Sequence, residues 1–202
     1  MHIMAHQGYI DKFDAEGSVM EREALIKRAY ELGFDYEKRY HGCSQSTIAA
    51  VQDALGVRND FVFKAAGGLA AGCGLLRDGP CGGYTGGIMV MSMFFARVRK
   101  KFDDDREENY CSFRMAVELH DKFIEEYGTI MCREIHCKIF GRSYDLWNPE
   151  EKEQFEEAGA HREKCTGVVA RASAWALGIL IKEMEMRSLQ PGDFKHLTYI
   201  DT

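Results

Sequence analysis

Little in this sequence interrupts regular structure. Its 202 residues include three prolines, no low-complexity linker and no internal repeat, which favours one continuous domain over two small ones and leaves helix as the prevailing local structure. No C-x-x-C pair and no C-x-x-C-H run occurs, which excludes thioredoxin-like, zinc-ribbon and c-type haem arrangements. The longest apolar run, Ile88 to Ala96, is far short of the roughly 20 residues of a membrane helix and reads as buried core, so no membrane span is expected. The first residues, Met1 to Phe13, carry His2, His6, Asp11 and Lys12 without an apolar h-region, so a secretory signal is not expected and a cytoplasmic location is. No G-K-S/T follows any glycine-rich turn. Gly72 and Gly74 begin a G-x-G, but Arg77 stands where its third glycine belongs, which removes a phosphate-binding loop. Neither a Ser-His-Asp order nor a paired-carboxylate signature stands out.

Charge excludes a further class. The net charge is -6, and the single basic cluster, Arg97, Arg99, Lys100 and Lys101, is followed at once by Asp103, Asp104 and Asp105, which cancel its field within a Debye length. Nucleic acid is therefore not an expected partner.

What the sequence does contain is helical periodicity, glycine and cysteine. Apolar residues recur at spacings of three and four, so the expected class is all-α, a single-domain multi-helix bundle over 1–202 with peripheral tails at 1–18 and 188–202. Between Asp103 and Tyr127, Tyr110, Phe113, Val117, His120, Ile124 and Tyr127 trace one face, and Gly128 offers a stop, which predicts a helix burying that stripe, with His120 a satisfied core histidine. A second long helix is predicted from Glu163 to Arg187 through Cys165, Val168, Ala172, Trp175 and Ile179. A third carries Leu25, Ala29 and Leu32 and is expected to stop at Gly33, and a fourth follows Cys43 and closes at Gly56. Shorter helices are expected over 61–71, 131–140 and 149–158, the last capped by Asn148 with Pro149 in its first turn. The stretch Gly67 to Gly87 holds nine glycines, a density that demands tight backbone and a turn delivering Cys81 to the next helix.

Seven cysteines are an odd number, so at least one stays unpaired within the chain. Cys43, Cys81, Cys132 and Cys165 each fall at a predicted helix start, where unpaired N–H groups and the positive end of the helix dipole favour a thiolate. Cys73, Cys111 and Cys137 share no such setting and are expected to be small core residues. Met89, Met91 and Met93 read as flexible core filler, and the Glu150–Glu157 acids as a solvated helix start.

The segments GCSQST (Gly42 to Thr47), CGGYTGG (Cys81 to Gly87), EEYGTIMCREI (Glu125 to Ile135) and KCTGVV (Lys164 to Val169) together resemble a redox-active family defined by four cysteines and a C-G-A-x-x-G motif. The resemblance covers about residues 24–180, with Gly83 in the place of the motif's alanine. It implies a redox-active or metal-bearing role for Cys43, Cys81, Cys132 and Cys165. A similar domain occurs in split-Soret cytochromes, beside an iron–sulfur centre, which makes a four-thiolate [2Fe-2S] cluster the leading cofactor implied. The haem is not carried over, since no attachment motif is present.

Histidine spacing supplies an alternative. Cys132 with His136, and His161 with Cys165, are each spaced i, i+4, which on a regular helix puts both members on one face and would allow a Cys2His2 zinc site. Three functions follow: an electron-transfer protein with an iron–sulfur cluster and a redox partner of unknown identity, a thiol/disulfide oxidoreductase needing no cofactor, or a zinc-stabilised helical binding module without turnover. An exposed glycine-rich segment would also suit a homodimer.

Overall fold

The structure, a computed structural model, describes the backbone of residues 4–103 and 106–201, and side chains from residue 20 onward. It is all-α, as the periodicity predicts. The helices are α1 (Met4–Tyr40), α2 (Cys43–Leu55), α3 (Asp60–Ala65), α4 (Gly82–Phe95), α5 (Arg106–Tyr127), α6 (Cys132–Phe140), α7 (Pro149–Glu157) and α8 (Cys165–Met186). Extended pairing among the described residues amounts to two isolated bridges, Asn59 with Tyr199 and Pro80 with Met131.

The central element is α8. Val168, Ala172, Ala176, Leu177 and Leu180 are all buried on it, and α1, α2, α4 and α5 pack around it. The stretch Ala160–Met186 has the length and hydropathy of a membrane-spanning helix, yet two-thirds of that window lies inside the protein, as expected of a core helix. Small residues set the spacing. A Cβ on Gly33 would lie 2.5 Å from Ser173 Oγ, so this glycine is where α1 presses against α8. The expectation that α1 stops there is corrected: it runs on to Tyr40, and the close helix contact offsets the roughly 1 kcal/mol that a mid-helix glycine costs. By contrast, Gly56 does end α2, in the left-handed region at φ 67°, and Asn148 does cap α7, accepting from the N–H groups of Glu150 and Glu151.

Two other expectations change. The expected helix from Asp103 begins at Arg106, Asp104 and Asp105 lying outside the described residues, and its buried face is the opposite one. Cys111, Met115, Leu119, Phe123 and Tyr127 point inward, whereas Tyr110, Phe113, Val117 and Ile124 are 60%, 53%, 58% and 41% exposed. His120 is likewise partly exposed, beside Asp121, and is not a core histidine. Both stripes have helical period. The inward one is continuous in large side chains and meets α4 and α8, and Tyr127 belongs to both. The C-terminal stretch, expected as a tail, is packed: Phe194 is buried edge-on against Phe94 and Phe95, and Tyr199 stacks on Phe61. Of the N-terminal tail, residues 1–3 and the side chains of 1–19 lie outside the described residues.

A main hydrophobic cluster fills the space between α1, α2, α4, α5 and α8. A smaller one, Tyr144, Leu146, Phe155 and Ala160, sits apart, with Ala71, Leu75 and Cys165 against it. The candidate site lies between the two.

Candidate redox site

Each of the four cysteines singled out in the sequence begins a helix. Cys43, Cys132 and Cys165 are the first residues of α2, α6 and α8, and Cys81 immediately precedes α4. Local chemistry fixes each one. Between α1 and α2 the chain turns through His41 and Gly42, at φ 62° and 83°. Cys81 and Cys132 are tied side by side by the Pro80–Met131 bridge: the Cys81 N–H donates to Ile130 O at 2.8 Å and the Cys132 N–H to Gly79 O at 3.1 Å. Cys43 reaches the same place because α4 starts with glycine. A Cβ on Gly82 would lie 2.3 Å from Cys43 Sγ, and one on Gly86 would lie 2.4 Å from Ser44 O, so the N-terminal ends of α2 and α4 meet closer than any other residue allows.

The rest of the glycine-rich segment forms a left-handed turn. Ala71, Gly72, Cys73, Gly74 and Leu75 have φ of 46°, 66°, 68°, 55° and 65°, and Arg77 follows at 65°. For the non-glycine members this conformation costs roughly 1–2 kcal/mol each, strain of the kind that collects at functional sites. It directs the Ala71 N–H at Cys43 Sγ, 3.3 Å away. Arg77 holds the turn down, donating to Tyr144 O and pairing with Asp145.

All four cysteines line one cavity of about 180 Å³, together with Glu37, His41, His136, Glu156 and His161. His136 stands between two of the sulfurs, its Nε2 3.7 Å from Cys132 Sγ and 3.9 Å from Cys165 Sγ. Every cysteine is a free thiol. Among the described residues, the trio whose ligand atoms lie within 4.8 Å of one another is His41, Glu156 and His161. No three of the four sulfurs meet that distance.

The expectation that helix N-termini favour thiolates here is corrected. Burial raises Cys81 to about 11, although the N–H groups of Gly83 and Tyr84 pull it down. Burial first, then the charges of Glu37 and the neighbouring cysteines, put Cys43 and Cys165 well above the usual thiol range. Cys132 is raised as well, by burial and then by Cys81. Cys81 and Cys132 are buried and Cys43 and Cys165 half-buried, and their shared cavity favours the thiol form of each beyond what the helix dipoles offset. A bound cation would favour their deprotonation together.

The histidines differ from one another. Burial, then the Arg77 charge, lowers His136 to about 4, so it is neutral, and its Nδ1 is buried without a hydrogen-bond partner. His161 is not on one regular face with Cys165. Residues Ala160–Lys164 form a π-helical turn in which the Cys165 N–H bonds back to Ala160 O, and this extra residue rotates His161 toward acids. Its Nδ1 is 2.8 Å from both oxygens of Glu156, and its Nε2 is 3.7 Å from Glu37 Oε1. Cys132, His136 and Cys165 thus share a corner, while His161 faces the opposite wall.

The remaining cysteines divide. Cys111 is buried in the main core, its thiol raised to about 11 by burial and then by Glu183, as expected of a core residue. Cys73 and Cys137 are exposed, which corrects that expectation for both: Cys73 lies in the left-handed turn, and Cys137 lies on the outer side of α6. Two site residues had no sequence signal at all. Glu37 is one acid among many on a charged helix, and His41 sits in a turn outside any spacing rule, yet both line the cavity.

The donor set fits a metal centre or cluster. It offers four sulfur ligands, an apolar surround, and two buried polar atoms, His136 Nδ1 and Glu37 Oε2, left without a partner, which is uncommon unless something further satisfies them. The fold and site define the protein as an all-α, four-cysteine redox-type domain. The family described as "Putative redox-active protein (C_GCAxxG_C_C)" matches residues 41–179, and the chain belongs to it. All four cysteines and the whole cavity, Glu37 excepted, fall within the matched span. No curated protein and no solved structure matches the chain.

Proposed function

We propose that this protein is an electron-transfer or redox component in which Cys43, Cys81, Cys132 and Cys165 hold an iron–sulfur cluster of the [2Fe-2S] type. The observation that carries the proposal is that four cysteines far apart in sequence, Cys43 and Cys132 at helix starts, Cys81 just before one and Cys165 after a π-helical turn, line one cavity. A single tetrahedral zinc ion with Zn–S bonds of about 2.3 Å would draw all four sulfurs to about 3.8 Å of one another. No three of them stand within 4.8 Å of one another, so the larger two-iron unit would require less closing of the cavity. When bound, such a cluster supplies reversible one-electron chemistry.

The protein's own residues set the conditions. The apolar wall of Phe155, Leu146 and Val168 limits water. The Ala71 N–H donates to Cys43 Sγ and the N–H groups of Gly83 and Tyr84 lower the proton affinity of Cys81, and contacts of this kind stabilise added negative charge on sulfur. Neutral His136 lies with Nε2 3.7 Å from Cys132 Sγ and 3.9 Å from Cys165 Sγ, where in its Nε2–H tautomer it can donate to a ligating sulfur. The same chemistry disfavours thiol/disulfide exchange as the main activity, because buried, protonated thiols are poor nucleophiles.

Anaerobic purification followed by iron and sulfide analysis tests this. Stoichiometric iron and sulfide that are lost in Cys81→Ser support the cluster. Colourless protein without either, in which thiol trapping reveals a defined redox-sensitive pair, would replace it with the oxidoreductase.

A further inference from the structure

The same cavity has a second group of ligand-type side chains. His41, at the end of α1, stacks face to face on His161 with 3.7 Å between ring centres. Glu156, from α7, places both carboxylate oxygens 2.8 Å from His161 Nδ1. The donor atoms of the three residues lie within 4.8 Å of one another. Behind them Glu37, 3% exposed, holds one oxygen 3.7 Å from His161 Nε2 and keeps the other buried and unpartnered.

From these contacts we infer that His41, Glu156 and His161 form a second metal site, for a first-row divalent transition metal such as Fe(II) or Zn(II), with Glu37 as the acid that orients His161. Hydrogen bookkeeping supports it. At 2.8 Å from Glu156, His161 Nδ1 shares a proton with the carboxylate, and a cation can take the place of that proton when the other ring nitrogen, 3.7 Å from Glu37, carries the hydrogen. A proton fills that place when Glu37 and Glu156 raise the basicity of His161 against its burial. A metal ion fills it once the exposed His41 ring turns out of its stack, because parallel rings with centres 3.7 Å apart cannot aim both in-plane lone pairs at one ion. Bonds of about 2.0–2.2 Å at right angles set donor atoms about 3 Å apart, and a carboxylate behind the far nitrogen is the usual outer partner of a metal-bound histidine. Two histidines and one carboxylate are the ligand set of open, non-haem iron-type sites, and three protein donors leave a coordination position free, as in catalytic rather than structural zinc. Two carboxylates also match a divalent charge. The cysteines take no part, so this site stands or falls independently of the cluster.

Cobalt(II) titration of the full chain under anaerobic conditions separates the two sites, since thiolate-bound cobalt absorbs strongly in the near ultraviolet, whereas histidine- and carboxylate-bound cobalt gives only weak visible bands. A variant with Cys43, Cys81, Cys132 and Cys165 all changed to serine is expected to retain one equivalent of cobalt with the weak visible bands alone. Glu156→Gln, at a half-exposed position that tolerates the change, is expected to weaken that equivalent at least tenfold while leaving thiolate bands intact, and Glu37→Gln to weaken it about 10- to 100-fold. Glu156→Gln binding cobalt as the parent protein does, or every bound cobalt showing thiolate absorption, would overturn the second site. Absence of thiolate bands in the parent protein would instead count against the cysteine site alone.

Discussion

The two walls of the cavity are built on opposite principles. On one side Cys43, Cys81 and Cys132 are set by backbone, with glycines that admit no Cβ, a left-handed turn and paired main-chain hydrogen bonds. Their surroundings are apolar and their protons are held tightly. On the other, His41, Glu156 and His161 are set by side chains in mutual contact, with acids and bases close enough to share protons. The difference shows two ways of preparing for positive charge. The sulfur wall stays neutral until a cation arrives, while the His/Glu wall already contains the negative charge and holds a proton as a placeholder.

The largest effect expected from breaking this contrast falls on the sulfur wall. Gly86→Ala would drive a methyl group to 2.4 Å from Ser44 O, and Gly82→Ala to 2.3 Å from Cys43 Sγ. Each should lower stability by about 1–3 kcal/mol or more and abolish metal loading, read by chemical denaturation and metal analysis. Gly68→Ala, where nothing lies within 4 Å, is the matched control and should change neither.

Proton affinity sharpens the contrast further. At pH 7 in the metal-free reduced protein, Cys73 and Cys137, both exposed, should react with iodoacetamide first. Cys81, raised from 9.0 to about 11, has a thiolate fraction lower by about a hundredfold and should trail by at least that factor, as peptide mass spectrometry will show. His136 gives a smaller, pH-dependent signature. Its folded pKa, about 4, lies below the ordinary histidine value of 6.5, so the unfolded chain takes up the proton first as pH falls. Its contribution is complete above about pH 6.5 and is lost on acidification toward pH 4, on the order of 3 kcal/mol. Urea midpoints should fall across that window, and His136→Phe should flatten the dependence.

The smallest effect concerns the outer face of α5. Phe113→Ser or Val117→Ser should change stability by less than about 0.5 kcal/mol, whereas Leu119→Ala, in the core, should cost about 2–5 kcal/mol. A reversal of that order in thermal denaturation would show that the exposed stripe is the packed one.

These outcomes also mark what the sequence makes legible. The helices and all four cysteine positions are readable because period, glycine stops and helix starts are local properties. Which face of α5 turns inward is not, since Tyr110, Phe113 and Val117 carry the same period as Cys111, Met115 and Leu119, and only the placement of α4 and α8 decides between them. The thiol protonation state is likewise hidden: a helix start signals a thiolate, but burial depth, a tertiary quantity, reverses the sign. His161 illustrates a third kind of loss, because an i, i+4 rule presumes a regular helix, and a π-helical turn between His161 and Cys165 turns the histidine to Glu37 and Glu156.

Iron K-edge X-ray absorption on anaerobically purified protein tests the four-sulfur centre most directly. The proposed site predicts sulfur ligands around iron together with a short iron–iron vector, and loss of that vector in Cys132→Ser. A first shell of nitrogen and oxygen, with no iron–iron vector in the parent protein, would contradict it.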